Sequence, residues 1–196
     1  MKFNRLKTKS GVDINGPLLI SPEIISDSRG FFYESWNKRN FDELIGEEIT
    51  FVQDNHSKSQ KGILRGLHYQ IPNIAQSKLV RCTIGTVFDV AVDIRKSSPT
   101  FKEYVSVLLD DKNKAMFWIP EGFAHGFLAL SEFAEVQYKT TDYWSKKHER
   151  IINWRDPSID INWPNLTDSN SNFFLSERDL NAPLLKDLNL EEDFFL

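Results

Sequence analysis

The sequence predicts an all-β fold, and three observations carry that reading. Aromatic residues make up 13% of the 196-residue chain, high for a helical bundle and natural for β structure. Several short segments alternate apolar and polar residues with the two-residue period of a strand. Turn residues separate these segments at Asp27 to Gly30, Asp110 to Asn113 and Pro120 to Gly122. Many short strands at close spacing point to a sandwich or barrel. Some antiparallel barrels enclose a cavity lined by inward side chains.

In chain order, WNKRNFDELIG offers a helical turn or two around residues 36–45. In VFDVAVDIR, Phe88, Val90, Val92 and Ile94 share one face, opposite Asp89, Ala91, Asp93 and Arg95. YVSVLLDD, AMFWIP and GFLALS read as further strands with less regular alternation. In AEVQYKTT, Ala134, Val136 and Tyr138 share a face, opposite Glu135, Gln137 and Lys139. The stretch LSERDLNAPLLKDLNLEEDFFL leaves room for a short helix after Pro183. Residues 1–196 read as one domain, with a C-terminal extension over about 186–196 to which no function is assigned.

The net charge is −4, so the basic excess of a nucleic-acid-binding surface is missing. A pyrophosphate would have to be met by a few placed Arg and Lys side chains. The lone cysteine, Cys82, rules out an intrachain disulfide and a cysteine-rich zinc site. Its apolar-leaning surroundings, LVRCTIG, suit a small buried side chain. The N-terminal segment lacks the apolar run of a signal peptide, and no stretch approaches the ~20 apolar residues of a membrane span. The chain reads as cytoplasmic, with no membrane or nucleic-acid partner.

Four histidines occur. His68, in GILRGLHYQ, has Arg65 three residues before it and Lys78 ten after. Nearby cations disfavour a second positive charge, and a neutral imidazole can act as a base near pH 7. From that segment alone, a hydrogen-bonded structural histidine is the leading reading and a catalytic base the alternative. His125, in PEGFAHGF, follows a tight turn and stands at a strand entrance, a common barrel-mouth position. His56 and His148 lie in polar stretches and read as solvated. A metal is not expected. The usual cluster of a metal-binding barrel places two histidines two apart, and here Gly66 occupies the first position. Tyr138 shares its face with apolar residues, so it points into a core or cavity, as packing or as a proton donor. Asp179 taken singly is a charged loop residue, although a carboxylate paired with an imidazole would fix its tautomer.

Together, DSRGFFYESW, QDNHSKSQKGILRGLHYQ, QSKLVRC, GTVFDVAVDIRKSSPTF, MFWIPEGFAHGFLAL, VQYKTTDYW, INWRDPSIDINWP and LSERDLNAPLL resemble the dTDP-4-dehydrorhamnose 3,5-epimerase family, in family order from about residue 17 to 186. The resemblance implies a cupin-type jelly-roll β-barrel with short peripheral helices. It also implies a homodimer, a dTDP-sugar substrate and an isomerase without a cofactor or metal. By motif match, His68 takes the position of the base, Asp179 that of its carboxylate partner and Tyr138 that of the general acid. Lys78 and Arg65 match cations near the sugar and the developing enolate, and His125 matches a second active-site histidine. Arg29, Glu34, Gln53 and Asn55 match residues that contact the nucleotide, and Glu149 joins them. Ile25 stands about where the family often has an aromatic residue, and Arg178 where it often has Lys.

The activity so implied is epimerisation of dTDP-4-dehydro-6-deoxy-D-glucose at C3 and C5, by proton removal to an enolate and return of a proton to the opposite ring face. The rivals are a single-site epimerase acting at C3 or C5 of a related nucleotide sugar, and a non-catalytic sugar-nucleotide-binding barrel. The binding barrel would need no base and acid pair.

Overall fold

The computed structural model describes residues 2–166, 173–189 and 192–195. Thirteen strands and two α-helices are assigned among them. A six-stranded antiparallel sheet takes the order β1 (Lys2–Lys7), β2 (Asp13–Ser21), β10 (Met116–Ile119), β7 (Lys78–Ile84), β12 (Phe133–Thr140), β5 (Gln53–Gln60). A five-stranded antiparallel sheet takes the order β13 (Glu149–Ile151), β6 (Leu64–Gln70), β11 (Phe123–Ala129), β8 (Thr86–Asp93), β9 (Tyr104–Asp110). From β5 onward nearly every connection carries the chain from one sheet to the other, which is the jelly-roll form of a cupin-type fold. A separate hairpin pairs β3 (Ile24–Asp27) with β4 (Gly30–Tyr33) across the turn expected at Asp27 to Gly30.

The two sheets bury their facing sides against each other. Val80, Cys82, Phe117, Ile119 and Val136 of the larger sheet meet Val87, Ala91, Val107, Phe123 and Phe127 of the smaller. The outer faces are covered as well. Helix α1 (Lys38–Ile45) is capped by the Asn37 side chain, which accepts from the Asn40 amide, and ends at Gly46 in the left-handed conformation, φ +87°. It lays Phe41 against Leu79, Met116 and Trp118, and burying that ring contributes roughly 2–3 kcal/mol. The C-terminal third packs Ile152, Ile159, Leu185 and Phe194 onto Leu67, Tyr69, Val90 and Val92.

The expected alternation in β8 holds, with Val90, Val92 and Ile94 on one face. The opposite face is not solvated. Asp89, Ala91 and Asp93 are fully buried, because that face looks inward between the sheets. Asp93 is satisfied by Arg95 Nε at 2.9 Å, Ser98 Oγ at 2.6 Å and Thr100 Oγ1 at 2.7 Å. After Pro183 the helix assigned among the described residues is a 3-10 turn, Leu185–Asp187. The short helix α2 (Glu177–Leu180) lies before that proline, started by Ser176 as its N-cap. Cys82 is buried as expected. Burial pushes its thiol up to about 12, with Sγ donating to the Ile84 carbonyl.

Candidate active site

The site lies between the sheets, with one wall from each. On the smaller sheet, β6 pairs with β11 through an irregularity that sets His68 directly opposite His125. Gly66 makes this possible. At φ +135°, a Cβ there would sit 2.5 Å from Gly126 Cα and 3.0 Å from the His125 carbonyl oxygen. Only glycine tolerates both the conformation and the close approach.

His68 and Asp179 are 111 residues apart in sequence, and folding joins His68 Nε2 to Asp179 Oδ1 at 2.5 Å. Asp179 stands on α2, where Ser176 Oγ both accepts from the Asp179 amide and donates to its Oδ2. Burial opposes ionisation of Asp179. The hydrogen bond and charge of His68, the Ser176 hydroxyl and Arg178 outweigh that burial and hold the carboxyl below its ordinary range. With Nε2 committed to a carboxylate, the ring presents Nδ1 as the nitrogen able to accept a proton.

His125 is buried in the interior, deeper than a barrel mouth, with Nε2 at 2.8 Å from Asp89 Oδ1. Burial lowers its pKa against the pull of Asp89, and Lys78 and His68 reinforce the lowering, so it is a neutral imidazole at pH 7. Asp89 escaped sequence reasoning because it reads as the polar face of an ordinary strand. Its second oxygen, Oδ2, is buried without a hydrogen-bond partner among the described residues.

The opposite wall comes from the larger sheet. Lys78 opens β7, pairs across to Ile119 and Thr140, and is 7% exposed. Its Nζ donates to the His68 carbonyl at 3.3 Å, which bridges the two walls. Burial pushes this ammonium down to about 8, against the opposing fields of Glu149 and Asp89. Tyr138, on β12, pairs with Val80 and Asn55 and packs against the inter-sheet core, as its alternation predicts. Burial and Glu149 raise its phenol pKa, and Arg65 works against them, so the proton stays on oxygen at neutral pH.

The remaining residues divide into two groups. Arg65 is exposed, with Nε on Ser59 Oγ at 3.0 Å. Gln53 donates to Asn55 at 2.9 Å and accepts the Trp144 amide at 3.1 Å, beside the exposed rings of Tyr143 and Trp144. Glu149, on β13, carries the Arg178 guanidinium. These lie around the two walls. Arg29 and Glu34 do not join them within one chain. Arg29 is paired with Asp27 on the projecting hairpin, and Glu34 accepts from Asn37 and Asn40. His56 is half-exposed and pairs with Glu135, and His148 bonds Ser145 Oγ. Among the described residues no three His, Cys, Asp or Glu side chains converge as a metal site. No helix among them is long and apolar enough to cross a membrane. A cavity of about 210 Å³ lies mainly along the outward side of the larger sheet, lined by Trp36, His56, Arg81 and Gln137, and does not include the His68–Asp179 pair.

Against this geometry, the family model described as dTDP-4-dehydrorhamnose 3,5-epimerase matches residues 11–187. The chain belongs to the dTDP-4-dehydrorhamnose 3,5-epimerase family. A family relative from Shigella flexneri, named dTDP-4-dehydrorhamnose 3,5-epimerase, is 53% identical over 194 residues, covering 99% of this chain and 100% of that protein. Another of that name, from Salmonella typhimurium, is 55% identical over 177 residues, covering 89% and 93%. Among solved structures, a dTDP-6-deoxy-D-glucose-3,5-epimerase from Legionella pneumophila, in complex with dTDP-4-keto-L-rhamnose, is 47% identical with a TM-score of 0.87, covering 97% and 96%.

Proposed function

We propose that this member of the epimerase family converts dTDP-4-dehydro-6-deoxy-D-glucose to dTDP-4-dehydro-L-rhamnose by inverting C3 and C5, a step in dTDP-L-rhamnose formation. The observation that carries the mechanism is that His68 and Tyr138 stand on facing sheets. A sugar ring between those walls meets a base on one face and an acid on the other. The C4 ketone acidifies the protons on C3 and C5. His68 Nδ1 removes one, while Asp179 holds the tautomer and stabilises the imidazolium. The electron pair moves onto the ketone oxygen, where the buried Lys78 ammonium meets the developing charge, with the exposed Arg65 beside it. Tyr138 returns a proton to the opposite face. Reprotonation of the tyrosinate and release of the imidazolium proton to solvent reset the site for the second carbon. The overall change is a redox-neutral isomerisation, so no cofactor is proposed.

The same reading makes residues 1–196 a single cytoplasmic domain that acts as a homodimer. The β3–β4 hairpin projects Ile25, Phe31 and Phe32, each more than half exposed, beside Arg29. Apolar side chains grouped this way mark an interaction surface. Seating the hairpin on a second copy would bury them and carry Arg29 and Glu34 toward the neighbour's nucleotide. Gln53, Asn55 and Glu149 would complete the nucleotide contacts from within the chain.

The test is incubation with the nucleotide sugar in D₂O, with the C3 and C5 protons followed by NMR and the product trapped by a reductase. Deuterium entering both carbons with an L-configured product is the expected result. Exchange at one carbon would replace double with single epimerisation, and exchange at neither would overturn the proposal. Sedimentation of the wild type should give a dimer.

A further inference from the structure

We infer that Asp193, in the C-terminal tail, is a positioning residue for the active site, holding in place through Tyr69 and Arg150 the two strands that carry His68 and Glu149. The inference relies on the proposed epimerase chemistry for its kinetic readout alone. Asp193 lies in the tail that follows residues 11–187, the span matched by the family model.

Strand β13 is three residues long and forms the edge of its sheet, pairing among the described residues with β6 alone. So short an edge has few ladder hydrogen bonds of its own, and such segments open at low free-energy cost. Its middle residue, Arg150, stands opposite Tyr69. Alternation turns these two outward, while His68, Gln70, Glu149 and Ile151 turn toward the site. Asp193 joins the outward pair. Its backbone carbonyl accepts from Tyr69 Oη at 2.8 Å, and its Oδ1 accepts from Arg150 Nε at 2.5 Å. The carboxylate is itself braced, because Oδ2 accepts the Asn189 amide at 2.9 Å. Phe194, buried, packs on Tyr69 and Phe101, and the Phe195 carbonyl accepts the Lys96 amide at 2.9 Å. The tail therefore runs as a strap from the β6–β13 edge to the segment following β8, where Lys96 anchors its far end.

What the strap holds is electrostatically active. Glu149 carries Arg178, the neighbour of Asp179, and its field raises the pKa of both Lys78 and Tyr138. The groups facing Lys78 are Glu149 from β13, Asp89 from β8, His125 from β11 and His68 from β6. If β13 loosens, Glu149 withdraws and burial acts on Lys78 with less opposition, so the lysine loses its proton at lower pH. Displacement of His68 or Glu149 also lowers turnover, because small errors in the alignment of reacting groups are costly.

The test compares Asp193→Ala and Asp193→Asn with wild type. In the exchange assay kcat should fall roughly tenfold with KM within about twofold, and the basic limb of the pH profile should move to lower pH. In protein labelled with ¹⁵N-lysine, the Lys78 titration should move the same way. A lowered melting temperature with an unchanged pH profile and Lys78 titration would mean a merely structural tail and overturn the inference, as would unchanged behaviour throughout. If Asp193→Ala does not fold, Asp193→Asn, which keeps the size and one acceptor, decides the matter. If wild type shows no exchange, the functional reading fails separately, and the Lys78 titration alone decides the role of Asp193.

Discussion

Lys78 links stability and activity in opposite directions, and that opposition can be measured. Its ammonium is nearly fully buried and titrates at about 8, against 10.5 for the ordinary side chain. Tenfold in proton affinity is about 1.4 kcal/mol, so holding the charge inside costs roughly 3 kcal/mol below pH 8. Between pH 8 and 10.5 the unfolded chain binds this proton and the folded chain does not, so the cost is relieved and this contribution to stability rises with pH. Activity should do the reverse, falling above pH 8 as the cation that meets the enolate is lost. Lys78→Met removes the buried charge and also the bond to the His68 carbonyl, which contributes about 1 kcal/mol. The variant should therefore be about 2 kcal/mol more stable than wild type at pH 7, and lose that advantage above pH 10.5. Its turnover should drop about 10²- to 10³-fold. Urea unfolding at pH 7 and at pH 10.5, with deuterium exchange on the same samples, measures both effects. A variant less stable than wild type at pH 7, or wild-type turnover constant to pH 10, would refute the reasoning.

Other perturbations separate the remaining roles. Asp179→Asn should lower exchange and epimerisation together by roughly 10²- to 10⁴-fold, because the imidazole loses its orienting anion, and NMR of both reactions checks it. The wild-type Asp179 contribution to stability is present above the ordinary carboxylate range and is lost as pH falls through the lowered native value, so acid unfolding of the Asn variant should be flatter. Tyr138→Phe should abolish inverted product while His68 still exchanges the substrate proton with solvent, and undiminished epimerisation would remove Tyr138 from the mechanism. Gly66→Ala should cost more than about 3 kcal/mol, visible in thermal melts, since its methyl group would collide with the Gly126 backbone.

The strands that sequence reasoning read most clearly, β8 and β12, are those whose two faces differ in residue type. β12 alternates because one face meets the core and the other the surface, and its inward Tyr138 could be named for that reason. β5, Gln-Asp-Asn-His-Ser-Lys-Ser-Gln, has no apolar residue at all. Its inward positions, Gln53 and Asn55, stand in register with Thr140 and Tyr138 at a polar site, so hydrophobic period carried no signal there. In β8 the alternation was legible, but nothing in it told that the acidic residues are buried and bonded.

The sequence by itself determined the all-β class, the burial of Cys82 and, through motifs resembling a known family, which side chains to examine. Its local patterns report what each residue's neighbours in the chain require. Only the tertiary structure brought Asp179 to His68 across a separation of 111 residues, set Tyr138 and Lys78 on the wall opposite, and turned Asp89 inward to His125. It alone showed the tail fastened behind the site through Asp193. These pairings arise from strand pairing, from helix and tail docking and, for Lys78 and His68, from sheets meeting face to face, and no spacing along the chain encodes which distant side chains will then share a buried, low-dielectric space.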